Sequence, residues 1–240
     1  MSEYKVTVEQ TEDYINSLKY EVSDVAPNVI ANASDQDKGE NEAEIELHLN
    51  NYSNLVIVNC KYANIQSLNS LNNMPSTLKY YDLSTCDLYN KTFPTTLTSH
   101  SSLLELRLNT CGVIGTVPSL LPFSNLEVFV AASNNWGNWI SNKSDWNRVL
   151  SDRHNDTNHT GINEVASDFA VSYTLKTFSL AWCALSSTSV DRILAAFDNA
   201  GASNGTLNII GGFAMGVPSS TGLNHKTNLE SRGWSVTVKT

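Results

Sequence analysis

The stretch Leu103 to Leu126 constrains the fold more than any other. It reads Leu103-x-x-Leu106-x-Leu108-x-x-Cys111-x-Val113, then Gly115-x-Val117-Pro118, then Leu121 and Leu126. Leu106 and Leu108 alternate, so both point to one face of a short strand. Cys111 stands where the chain leaves that strand. A small polar or sulfur side chain there can turn inward and bond the backbone groups of the bend, which would otherwise be buried unpaired. Pro118 fixes the return path and gives up an N–H that no ladder needs. One such unit cannot bury its leucines alone and must stack on copies of itself.

The copies are in the chain. Leu78-x-x-Tyr81-x-Leu83-x-x-Cys86-x-Leu88 precedes the unit, with Phe93-Pro94 in its tail, and Leu55-x-x-Val58-x-Cys60-x-x-Ala63-x-Ile65 precedes that. Leu126-x-x-Phe129-x-Ala131-x-x-Asn134-x-Trp136 follows, and after a gap comes Leu175-x-x-Phe178-x-Leu180-x-x-Cys183-x-Leu185. Leu55, Leu78, Leu103 and Leu126 are spaced by 23, 25 and 23 residues. The step to Leu175 is 49 residues, which reads as two repeat lengths. The period then lengthens, with Leu180, Ile209 and Val238 spaced by 29 residues, as are Phe178, Leu207 and Val236. Seven strands fall on one register, and a serial match of this kind is specific where a single one is not.

On these residues the chain resembles leucine-rich repeat proteins over about residues 50–240. The tail Gly115-Thr116-Val117-Pro118 resembles the repeat class best known from plant receptors. The run Asp191–Asp198, with Asn204-Gly205-Thr206-Leu207 and Gly233-Trp234-Ser235-Val236, looks like the closing repeats of leucine-rich proteins from tailed phages and aquatic bacteria. The resemblance implies an α/β fold: a curved right-handed solenoid with a concave parallel sheet and a convex side that is irregular at first and helical later. Its strands are expected at Val58–Cys60, Tyr81–Leu83, Leu106–Leu108, Phe129–Ala131, Phe178–Leu180, Leu207–Ile209 and Val236–Val238.

Residues 1–43 do not fit the repeat and read as an N-terminal attachment segment ahead of a solenoid over 44–240. Val6 and Val8 alternate as in a strand. Tyr14, Leu18 and Val22 have helical spacing that ends at Pro27, and Asn32 to Glu44 is polar and acidic. Ile45-Glu46-Leu47-His48-Leu49 alternates strictly and is expected to cap the first apolar layer. The repeat breaks at 137–174, read as an insertion in place of one strand. It holds a short helical pattern with Trp146, Val149 and Leu150, and then the polar run His154 to Gly161. Such an insertion is either a functional loop or a solvated bulge. From Ser187 the pattern turns helical, with Ser187 or Thr188 as cap, Val190, Ile193, Leu194 and Phe197 as the buried stripe, and Gly201 as the stop. A second such segment is expected around Thr227 to Glu230.

Composition narrows the function. The chain carries 15 Lys and Arg against 24 Asp and Glu, a net charge of −9, with no basic run. That argues against nucleic acid and anionic membrane as partners. No stretch approaches the length of a membrane span, and the N-terminus has no apolar signal region. The four cysteines, Cys60, Cys86, Cys111 and Cys183, all occupy repeat positions and read as structural thiols. His154, Asp156 and His159 lack the helical frame of a metal site, so no metal or cofactor is expected. No catalytic motif occurs. An enzyme acting on glycans through Trp136 and Trp139 would need an acid pair that is missing.

The candidate ligand-binding surface is the outward sheet face. Its columns hold Ile57, Tyr80, Glu105, Val128 and Thr177; then Asn59, Asp82, Arg107, Val130 and Ser179; then Lys61, Ser84, Asn109, Ala132 and Ala181. Tyr80, Asp82, Glu105, Arg107, Asn59 and Lys61 are the binding residues expected, because Tyr and Arg favour interface centres. An ordinary solvated sheet face is the other reading. The expected function is a non-enzymatic recognition or structural module. One setting is a phage particle, with a cell-surface receptor on the array and neighbouring virion proteins held through residues 1–30. The alternative is a cytosolic bacterial scaffold or effector that binds a protein.

Overall fold

A computed structural model describes residues 4–7, 49, 55–59, 67–86, 88, 91–134, 161–211 and 215–240. The described residues form a mixed α/β chain built on a large parallel sheet, a two-stranded sheet and two α-helices. Seven sheet strands follow one another from the first to the last repeat: β2 (Leu55–Asn59), β3 (Tyr80–Asp82), β4 (Glu105–Arg107), β6 (Val128–Val130), β8 (Thr177–Ser179), β9 (Thr206–Ile209) and β10 (Ser235–Val238). Each pairs with its neighbours in parallel and in step, so that Tyr81, Leu106, Phe129, Phe178 and Leu207 form one row. The strands begin up to three residues earlier than the sequence pattern suggests, and Cys60 lies outside the described residues. The ladder runs on past each strand: Leu83 N–H donates to Arg107 O, Leu108 N–H to Val130 O and Leu180 N–H to Asn208 O.

The exits from β3, β4, β6 and β8 repeat one conformation. Thr85, Thr110, Ser133 and Trp182 have φ between 58° and 63°, each one residue before Cys86, Cys111, Asn134 or Cys183. The left-handed residue turns the chain sharply off the sheet, at a cost of roughly 1–2 kcal/mol for a residue with a Cβ. The next side chain then enters the core. Asn134 is fully buried and bonded on both ends of its carboxamide. Its Oδ1 accepts from Cys111 N–H (3.0 Å) and Val113 N–H (3.2 Å), and its Nδ2 donates to Leu108 O (2.7 Å) and Ala131 O (2.9 Å). The Cys111 thiol donates to Leu83 O and that of Cys183 to Ala131 O. Cys86, Cys111 and Cys183 are buried and unpaired as disulfides, as their repeat positions imply. Burial pushes the Cys183 thiol up to about 12, against the smaller opposite effect of a backbone hydrogen bond at Asn134.

The side of the core opposite the sheet is more regular than the Gly-x-Val-Pro tail implies. β5 (Gly115–Val117) pairs in parallel with β7 (Ile162–Val165), and Thr92 bridges to Ile114. The same ladder continues as Ala184 N–H donates to Ile162 O, Ser186 N–H to Asn163 O and Gly216 N–H to Leu185 O. Leu120, not Leu121, is the buried leucine of the tail; Leu121 is exposed.

β7 also corrects the insertion. Its residues lie within 137–174, yet Ile162, Val165, Phe169 and Val171 are core. β6 pairs directly with β8, so no strand stands between them in the sheet. Residues 161–174 are therefore the back of the Leu126 unit, and Ile162 N–H donates to Asn134 O across the point where the excursion leaves. Residues 137–160, including Trp139, Trp146, His154, Asp156 and His159, lie outside the described residues, as does Trp136.

β1 (Tyr4–Thr7) lies at the sheet edge, parallel to β2. The Val6 pattern thus belongs to the sheet, although the sequence placed it in a separate attachment segment. The covering position expected for Ile45–Leu49 is taken by β1. Of that pentapeptide only Leu49 is described, and it is buried. A parallel neighbour needs a long connection, which residues 8–54 supply.

Helix α1 (Ser187–Ala200) is capped one residue earlier than expected, by Ser186, whose Oγ accepts from Ser189 N–H. Val190, Ile193, Leu194 and Phe197 face the core, and Gly201 at φ 72° ends the helix. Helix α2 (Ser220–Ser231) is longer than the segment expected around Thr227–Glu230 and buries only Gly222 and Leu229. A polar helix with so little apolar face is held by its neighbour. Asp198 on α1 accepts from His225 Nδ1 (2.7 Å), Asn228 Nδ2 (2.9 Å) and Arg232 Nη1 (2.8 Å). Between sheet and back runs a chain of rings, Phe93, Phe129, Phe178, Phe197 and Trp234, with centroids 5.2–6.4 Å apart. Each contributes about 1.5–3 kcal/mol of apolar burial.

Candidate binding face

The outward sheet face follows from alternation. Tyr81, Leu83, Leu106 and Leu108 turn in, so the residues between them turn out. Register then sets the neighbours: Asn59 lies beside Asp82 and Asp82 beside Arg107, while Ile57 lies beside Tyr80 and Tyr80 beside Glu105. Five of the six expected binding residues are thus one contiguous group on three strands. Lys61 lies outside the described residues. Tyr80 is 41 % exposed, the most accessible large side chain of the group.

The charges within the group are ordered. Glu105 and Arg107 stand two residues apart on one strand and one face, and the Arg107 Nε–H donates to Glu105 Oε1. Asp82 Oδ1 accepts from Ser84 N–H at 2.8 Å, so that carboxylate is turned toward its own strand exit. Beyond Arg107 the face becomes apolar and then hydroxylic, through Val128 and Val130 to Thr177 and Ser179. Asn208 continues the middle column beside Ser179, and its buried Oδ1 has no hydrogen-bond partner among the described residues. Sequence reading stopped this column at Ser179, although the 29-residue spacing from Leu180 to Ile209 already places Asn208 on it.

No protein-family model matches the chain, and neither a curated protein nor a solved structure does. Among the described residues no three His, Cys, Asp or Glu side chains are placed to hold a metal ion. No described helix is long and apolar enough to cross a membrane. A groove of about 340 Å³ lies on another part of the molecule, between α1 at Arg192 and Asn199 and the segment Ser167–Val171. It holds no acid pair and no nucleophile with a base. The outward face carries its ordered polar groups, Asp82, Glu105 and Arg107, on two adjacent strands.

Proposed function

We propose that this chain is a leucine-rich repeat solenoid acting as a non-enzymatic recognition module, with the outward sheet face as its concave binding surface for a protein partner. The repetition at the strand exits is the observation that carries the reading. Four left-handed residues, each followed by an inward Cys or Asn, stand at the ends of in-step parallel strands. This repetition supports a reading as stacked similar units, and stacked units offer an extended surface rather than a cleft. Tyr80 and Arg107 near its middle supply the residue types that dominate interface energies.

The setting we propose is the surface of a phage particle, on the resemblance of the 191–236 run to phage leucine-rich proteins. The array would face a host receptor, with residues 1–30 toward neighbouring virion proteins. Site-specific photo-crosslinking tests the binding face. A crosslinker at Val130, challenged with host envelope fractions, should capture a protein that one at Ser167 on the back does not. Tyr80→Ala with Arg107→Ala should abolish capture while leaving the melting temperature unchanged. Capture from Ser167 alone would refute the assignment.

A further inference from the structure

Arg107 is only half used. Its Nε is bonded to Glu105, and among the described residues Nη1 and Nη2 have no partner. Its side chain is 36 % exposed and that of Glu105 28 %. Holding a guanidinium by Nε fixes its plane and leaves its end, with two parallel N–H groups, directed away from the anchor. Such an end matches the two oxygens of a carboxylate. The cost of ordering a long side chain has then been met before any ligand arrives. Asp82, the nearest other acid by register, accepts through Oδ1 from Ser84 N–H.

We infer that the outward face takes a glutamate or aspartate side chain of a protein partner, received end-on by Arg107, and that Glu105 is its positioning residue. This deepens the proposed recognition role and rests on it. The surroundings favour a side chain from a passing segment over a chain terminus. On the next strand Val128 stands beside Glu105 and Val130 beside Arg107 in register, and on the preceding strand Tyr80 stands beside Glu105 and Asp82 beside Arg107. The chain's net charge of −9 opposes an acidic partner at long range, so the attraction is local. Raising salt should then weaken binding little or even speed association, the reverse of a steered basic partner.

The test is an NMR titration of the full-length protein with three short probes: acetyl-Val-Glu-Val-amide, acetyl-Val-Gln-Val-amide, and acetyl-Val-Gln-Val with a free carboxyl end. The glutamate peptide should shift the amides of Val128, Val130 and Ser179 and bind about tenfold or more tightly than its glutamine counterpart. Arg107→Ala should erase that difference. Arg107→Lys, which keeps the charge and loses the fork, should retain only part of it, and Glu105→Gln should reduce it with the fold intact. Equal binding of the glutamate and glutamine peptides to this face would overturn the carboxylate inference and leave the face as a binding surface. Preference for the free carboxyl end would overturn the choice of a side chain. Absence of any shift on the face with all three probes would overturn the inference and count against the face itself.

Discussion

Replacing Asn134 by leucine is the sharpest perturbation of the strand-exit ladder. The two side chains are close in volume, so packing changes little and the apolar gain is about 1–2 kcal/mol at most. The loss is larger. Two buried N–H groups, of Cys111 and Val113, lose their acceptor, and two carbonyls, of Leu108 and Ala131, lose a donor. An unsatisfied buried group costs about 1–3 kcal/mol, and the carbonyls can keep a second partner more easily than the amides. Counting the two amides alone gives about 2–6 kcal/mol, and subtracting the apolar gain leaves roughly 0–5 kcal/mol, with a midpoint of about 2.5 kcal/mol. Asn134→Cys should cost less, because a thiol can donate to one of the carbonyls, as Cys111 and Cys183 do in their own units. Urea unfolding at fixed pH measures both, with an unchanged m value as the check that the native state is intact. A loss below about 1 kcal/mol for leucine, or a cysteine variant less stable than the leucine one, would show that the carboxamide does not hold the turn.

Other consequences follow from single contacts. Gly211 has φ 102°, and a Cβ there would lie 2.8 Å from Trp182 Cδ2, so Gly211→Ala should lower the melting temperature; no change in a thermal scan would refute the contact. Burial alone would raise the Asp198 carboxyl, but its bonds with His225, Asn228 and Arg232 outweigh that and hold it down to about 2 from 3.8. Its contribution to stability is then complete above pH 4 and should fade as pH drops from about 4 to about 2, more so than in Asp198→Asn, as acid unfolding of the two proteins will show. Cys86, Cys111 and Cys183 should resist alkylation in the folded protein and react in urea, as peptide mapping by mass spectrometry can resolve; fast labelling of any of them in the fold would contradict their burial.

Much of the sheet was legible because its signal is local and repeated. Leu-x-Leu alternation with a Cys or Asn three residues on marks each strand, and Asn134 could be assigned its task before any geometry was known. Helix α1 was legible through a strong apolar stripe, whereas α2 buries only Gly222 and Leu229 and leaves almost no pattern to read. The back ladder was missed because Gly115–Val117 and Ile162–Val165 share no motif and meet only after the chain has made its excursion. The same excursion made one long unit look like two. On the binding face, period-two alternation placed Tyr80, Asp82, Glu105 and Arg107 together, but which groups bond each other depends on side-chain rotamers. The Glu105–Arg107 pair and the turn of Asp82 toward Ser84 therefore appear only in three dimensions.

The central claim is that the units stack in step and in one direction, straight across the excursion that separates β6 from β8. Inter-strand nuclear Overhauser contacts between residues 128–130 and 177–179 test it most directly. The account predicts contacts that join Val128 with Thr177 and Val130 with Ser179, the parallel in-step pattern. Contacts joining Val128 with Ser179 and Val130 with Thr177, or contacts from β6 to a strand drawn from residues 135–160, would contradict it.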